Sequence, residues 1–97
     1  MRRIPALPPS IVDLGRALRD LRQERGLLVA DLAWMADMHP TYLARVERGR
    51  ANPSWLELCD LASALGVLVS AVAQDAEDTA RATRMGVARC RVPRRGR

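Results

Sequence analysis

The sequence contains no lysine and no phenylalanine, and only one histidine, one tyrosine and two cysteines, in 97 residues. Each scarcity excludes something. Without phenylalanine, and with aromatics at 3%, a core must rest on Leu, Val and Ala, which the 48% hydrophobic fraction supplies. The single histidine and the widely separated Cys59 and Cys90 offer no CxxC or metal-ligand spacing, so no metal is expected and the thiols read as reduced, in a cytoplasmic protein. A Gly-rich phosphate loop is also missing, as is any pairing of nucleophile and base. Neither a cofactor nor an enzymatic activity is therefore expected. No apolar run reaches the ~18 residues of a membrane span, so no membrane partner is expected. Met1-Arg2-Arg3 leads into Pro5, Pro8 and Pro9 instead of an apolar stretch, which argues against a secretory signal.

All sixteen basic residues are arginine, and their distribution matters more than the net +5. Residues 1–78 hold nine arginines against eleven acids, a net of −2, whereas residues 79–97 hold seven arginines and no acid. Such a basic tail suits nucleic acid or an acidic surface, or is simply a solvated end. In the slightly acidic remainder, any nucleic-acid contact must come from a local patch.

The length allows one domain. Residues 1–9 read as a flexible Pro-rich arm, 10–76 as the folded domain and 77–97 as an Arg-rich tail. Ser10 and Asp13 form a capping-box pattern ahead of Ile11, Leu14, Leu18 and Leu21, whose spacings of three and four mark one helical face; Gly26 stops that helix. A short periodic stretch runs from Val29 to Ala36. After Asp37-Met38-His39, Pro40 suits the first turn of a third helix, which Gly49 ends. Ser54 to Glu57 form a full capping box for a fourth helix, with Trp55, Leu58, Leu61, Ala62 and Leu65 expected inward and Gly66 as the stop. Val67 to Ala73 reads as a fifth helix or a turn of one, and beyond Glu77 the pattern fades; Met85, Val87 and Val92 allow a short strand. The expected fold class is all-α, a compact bundle of five short helices.

The stretch Val29 to Arg48 has the logic of two helices crossing steeply through a tight turn. Ala33 is small enough for the close contact, and Asp37 tolerates a left-handed backbone. Leu32, Met38, Leu43 and Val46 face the core, which leaves the outer side of the second of these helices free to enter a major groove. His39 reads as a turn residue, and Trp34 falls on the outer face of helix 2.

From Leu14 to Val72 the chain resembles the Cro/repressor (XRE-type) helix-turn-helix family. Four blocks carry the resemblance, in order and at matching spacing: Leu21 to Leu27, Asp31-Leu32-Ala33, Tyr42 to Ser54, and Leu61 to Val67. The resemblance implies a lambda-repressor-like bundle with the motif at helices 2 and 3, and a transcriptional regulator that binds double-stranded DNA, as a homodimer of the repressor kind. It places Pro40, Thr41, Ala44 and Arg45 on the base-facing side of the recognition helix. Arg45 is the expected base contact, since a guanidinium can bridge O6 and N7 of guanine. Thr41 suits a phosphate or a thymine methyl, and Arg48 and Arg50 suit flanking phosphates. Arg22 and Glu47 match a structural ion pair between helix 1 and the recognition helix. The dimer surface is expected around Leu68, Val69 and Val72, with Trp34 as a further contributor.

Two departures stand out. Leu28 and Val29 replace the usual polar start of helix 2, removing a side-chain cap and about 1 kcal/mol, and Pro40 replaces a polar residue at a frequent base-reading position. Two other readings stay open: an antitoxin that binds its own promoter and clamps a toxin partner, which the Arg-rich tail and Pro-rich arm would fit, and a protein-interaction module that no longer binds DNA.

Overall fold

The computed structural model describes residues 8–84. They form five helices, α1 (Ile11–Glu24), α2 (Val29–Met35), α3 (Pro40–Glu47), α4 (Trp55–Leu65) and α5 (Val69–Arg84), with no strand among the described residues. The all-α bundle expected from the sequence is thus present.

Local chemistry sets the helix ends. At α1, Ser10 Oγ accepts from the Asp13 amide at 3.2 Å and Asp13 Oδ2 accepts from the Ser10 amide at 2.8 Å, closing a reciprocal capping box. The same arrangement opens α4, where Ser54 Oγ accepts from the Glu57 amide and Glu57 Oε1 from the Ser54 amide. Helix α2 has only half of it. Leu28 has no side-chain acceptor to offer, but Asp31 Oδ2 still accepts from the Leu28 amide at 2.9 Å, so one orphan donor is satisfied despite the apolar cap residue. Between α2 and α3 the chain turns through Asp37 at φ 57°, the left-handed residue the turn requires.

The helices enclose one core: Leu18, Leu21, Leu32, Ala33, Leu43, Val46, Leu61, Ala62, Leu65 and Val72, all essentially inaccessible. Helix α1 packs on α5 and α3, α2 on α3 and α4, and α4 on α5. The α1–α3 crossing is tight. A Cβ built on Gly15 would lie 2.3 Å from the Val46 carbonyl oxygen and 2.6 Å from that of Glu47. Only glycine lets the two backbones approach this closely. Beside this crossing, Arg22 meets Glu47 side-on: Nε lies 2.8 Å from Oε2 and Nη2 lies 2.9 Å from Oε1, with the side chains 10% and 4% exposed. The remaining guanidinium nitrogen, Nη1, donates to the Leu27 carbonyl at 2.8 Å. One arginine therefore fixes α1, α3 and the α1–α2 turn together.

Several expectations need correction. Trp55 is 65% exposed instead of core. It belongs to the apolar stripe of α4, but burial along that stripe fades from Leu61 (buried) through Leu58 (half-buried) to the first residue of the helix. Ile11 is likewise surface, at the start of α1. Val72, expected in a subunit contact, is 0% exposed within the protomer's own core, where α5 meets the rest of the bundle. Helix α5 does not fade after Glu77: it continues to Arg84, with Asp75, Ala76, Thr79 and Ala80 buried. That inner face is built from small and polar residues, and Thr79 Oγ1 returns its hydroxyl to the Asp75 carbonyl at 2.9 Å. The strand allowed about Met85, Val87 and Val92 lies outside the described residues, as do residues 1–7 of the arm and 85–97 of the tail.

Candidate nucleic-acid interface

Helix α3 buries Leu43, Val46 and Glu47 and turns its opposite side outward. At 100° per residue, Pro40, Thr41, Ala44, Arg45 and Arg48 share that outer arc. Pro40, Thr41, Arg45 and Arg48 are exposed and Ala44 is half-buried. Arg50 is exposed in the loop that follows. Thus six of the residues singled out from sequence lie along one edge of the molecule, whereas Arg22 and Glu47 lie behind α3 as the ion pair already described.

The first turn of α3 is fixed from within. His39 is its N-cap, with Nδ1 accepting from the Thr41 amide at 3.1 Å, and Pro40 follows at the position where a missing N–H costs least. The other end is closed by the backbone. The Arg50 amide donates to the Arg45 carbonyl at 2.8 Å, and Gly49 takes φ +74°. A side chain at Gly49 would also run into Val12 of α1, with a Cβ 2.7 Å from Val12 Cγ2. The Arg45 guanidinium rests 3.4 Å from the Arg50 carbonyl, and none of Arg45, Arg48 and Arg50 pairs with a carboxylate among the described residues. Three arginines are thereby held at one edge with their charge uncompensated.

Two features escaped the sequence reading. Tyr42 Oη donates to Glu57 Oε1 at 2.7 Å, linking α3 to the cap of α4. This bond, with burial and the Glu57 charge, raises the phenol above its ordinary range, against the pull of nearby Arg45. Glu57 is held below the ordinary carboxylate range, first by the Ser54 amide and then by the Tyr42 hydroxyl. The second feature is a shallow depression lined by Ala33, Trp34, Asp37, Met38 and His39, which puts Trp34, 84% exposed on the outer face of α2, beside the start of α3.

A family model described as a helix-turn-helix domain matches residues 13–74. The chain belongs to this family. Its relatives are of the Cro/repressor type identified from the sequence blocks. The HTH-type transcriptional regulator DdrOP3 of Deinococcus deserti is 52% identical over 52 residues, covering 54% of this chain and 40% of that protein. The crystal structure of the clp gene regulator ClgR from Corynebacterium glutamicum superposes with a TM-score of 0.78 at 32% identity, over 84% of this chain and 86% of that one. The biofilm master regulator SinR, crystallised in complex with DNA, superposes with a TM-score of 0.58 at 30% identity, over 61% of this chain and 95% of that one. The chain spans about two fifths of the length of the first curated relatives that it matches. In helix-turn-helix terms, α2 and α3 are the motif and α3 is its second helix. Among the described residues, no single helix is long and apolar enough to cross a membrane.

Proposed function

We propose that this helix-turn-helix protein is a sequence-specific, non-enzymatic DNA-binding regulator of transcription, acting as a homodimeric repressor. The observation that carries the reading is the outer arc of α3, which offers arginines without carboxylate partners on a rigid, capped helix. Relatives named as transcriptional regulators, and one solved in complex with DNA, support it. In this reading Arg45 reads a guanine edge, Thr41 meets a phosphate or thymine methyl, and Pro40 and Ala44 line the groove by shape. Arg48 and Arg50 neutralise flanking phosphates.

One short recognition helix covers few base pairs, so two copies in successive major grooves, about 34–36 Å apart, supply the affinity. With Val72 inside the core, the subunit contact falls to exposed Leu68 and half-buried Val69 at the start of α5, with exposed Trp34 on α2 as a further contributor. The arginines beyond Arg84 add sequence-indifferent attraction to phosphate. Selection of duplexes from a random-sequence pool by the pure protein tests the reading. Enrichment of a two-half-site motif is expected, and no enrichment even at low salt would refute it.

A further inference from the structure

The loop between α3 and α4 carries Arg50 and is pinned at both ends. At the α3 end the Arg50 amide donates to the Arg45 carbonyl at 2.8 Å, and at the α4 end the Ser54 amide donates to Glu57 Oε1 at 2.9 Å. The same Glu57 Oε1 also accepts from Tyr42 Oη at 2.7 Å. A single carboxylate oxygen thus joins the cap of α4 to the side of α3, across the mouth of the loop.

Tyr42 sits on α3 between the outer arc and the buried face: it is half-buried, packs against the core and lies close enough to Arg45 for that charge to act on the phenol. The bond is not needed to start α4, because the Ser54–Glu57 box is complete without it. What it adds is a tie at the α4 end of the loop: the Arg50 amide already bonds the near end to Arg45, and Tyr42 holds the far end, through Glu57 and Ser54, to the same helix.

We infer that Tyr42 and Glu57 are positioning residues for DNA readout, a latch that ties the α4 end of the loop carrying Arg50 back to the side of α3. This rests on the reading of α3 as the recognition helix. Arg45 and Arg50 then address a base and a neighbouring phosphate as one rigid unit. With the latch open, the loop is tied to α3 only through the Arg50–Arg45 backbone bond and loosens; Arg50 then adjusts to the backbone of any duplex, so discrimination falls more than affinity for unrelated DNA. Glutamine at position 57 keeps an oxygen that can accept from both Tyr42 and Ser54, so it preserves the latch.

The test uses the whole chain in two arms. Without DNA, hydrogen exchange is measured at the Arg50 and Ser54 amides in wild type, Tyr42→Phe and Glu57→Gln. With DNA, affinities are compared on a duplex that the wild type selects from a random pool and on its scrambled counterpart. Losing one hydrogen bond of ordinary net strength corresponds to a factor of about three to ten. Tyr42→Phe should speed exchange at both amides by that factor and reduce the selected-to-scrambled affinity ratio similarly, while Glu57→Gln stays close to wild type in both arms. Unchanged loop exchange in Tyr42→Phe would overturn the latch. Equal losses on the two duplexes would also overturn it, reducing Tyr42 to a structural residue. A wild type that selects no duplex would instead refute the DNA-binding reading, and with it the role of the latch, whatever the exchange arm shows.

Discussion

Removing either partner of the Arg22–Glu47 pair should be among the most damaging single changes in this protein. In Glu47→Ala, a guanidinium that is 10% exposed keeps only its bond to the Leu27 carbonyl and loses both contacts to carboxylate oxygens. Breaking a buried pair from one side costs about 3–5 kcal/mol, because the surviving charge stays desolvated. A domain of this size shifts its melting midpoint by about 4–8 °C per kcal/mol, so Glu47→Ala should melt at least about 12 °C lower. Arg22→Ala should cost as much or more, since it also frees the Leu27 carbonyl. Replacing both residues by apolar ones of similar volume should cost less than either single change. The assay is thermal and urea unfolding of the two single variants and the double, with Glu77→Ala as the exposed control. If Glu47→Ala lowers the midpoint no more than Glu77→Ala does, the pair contributes nothing and the reasoning fails.

Further variants have defined outcomes. Gly15→Ala adds a methyl against two backbone carbonyl oxygens of α3, so it should destabilise by roughly 1–3 kcal/mol in urea unfolding even though alanine is the better helix former; a neutral or stabilising result would mean that the crossing relaxes freely. Val72→Asp should unfold the protomer by circular dichroism, whereas Leu68→Glu should leave a helical monomer by sedimentation; a helical Val72→Asp variant would contradict the burial of that side chain. Because folded Glu57 lies below its unfolded range, its stabilising contribution is full above the ordinary carboxylate range and is lost as pH falls through the lowered value, and an acid titration of Tyr42→Phe should lose stability at a higher pH than wild type. Truncation after Arg84 removes five arginines and should flatten the salt dependence of binding to any duplex by about two to three in slope. Arg45→Ala should instead lose about 1–3 kcal/mol on the selected duplex alone.

What could be read in the sequence was what local chemistry writes there. Ser10, Ser54, Gly26, Gly49 and Gly66 mark helix ends because capping and left-handed turns demand particular residues wherever they occur. Asp37 followed from the left-handed backbone that a tight helix-turn-helix turn needs, and Trp34 on the outer face of α2 from the resemblance to the family. What stayed hidden depends on which elements end up as neighbours. Trp55 has the correct period for the core, but period cannot say where the stripe loses its cover. The second half of α5 buries Ala76, Thr79 and Ala80, whose small and polar character gives little hydrophobic signal over those positions. The need for glycine at position 15 comes from the α3 backbone packed against it, a neighbour that the sequence around Gly15 does not name. Tyr42 and Glu57 stand fifteen residues apart, and nothing in either residue announces that one oxygen will serve two donors.

The way α3 begins limits what its backbone can grip. A helix start ordinarily turns up to four free amides towards a bound anion, an inexpensive anchor that side chains merely supplement. Here Pro40 has no amide hydrogen and the Thr41 amide is already engaged by His39. Half of that anchor is gone before any ligand arrives. A polyanion approaching this edge finds two backbone donors fewer at the front of the helix, so more of the grip falls to side chains, with Arg48 and Arg50 at the far end carrying what the amides ordinarily supply.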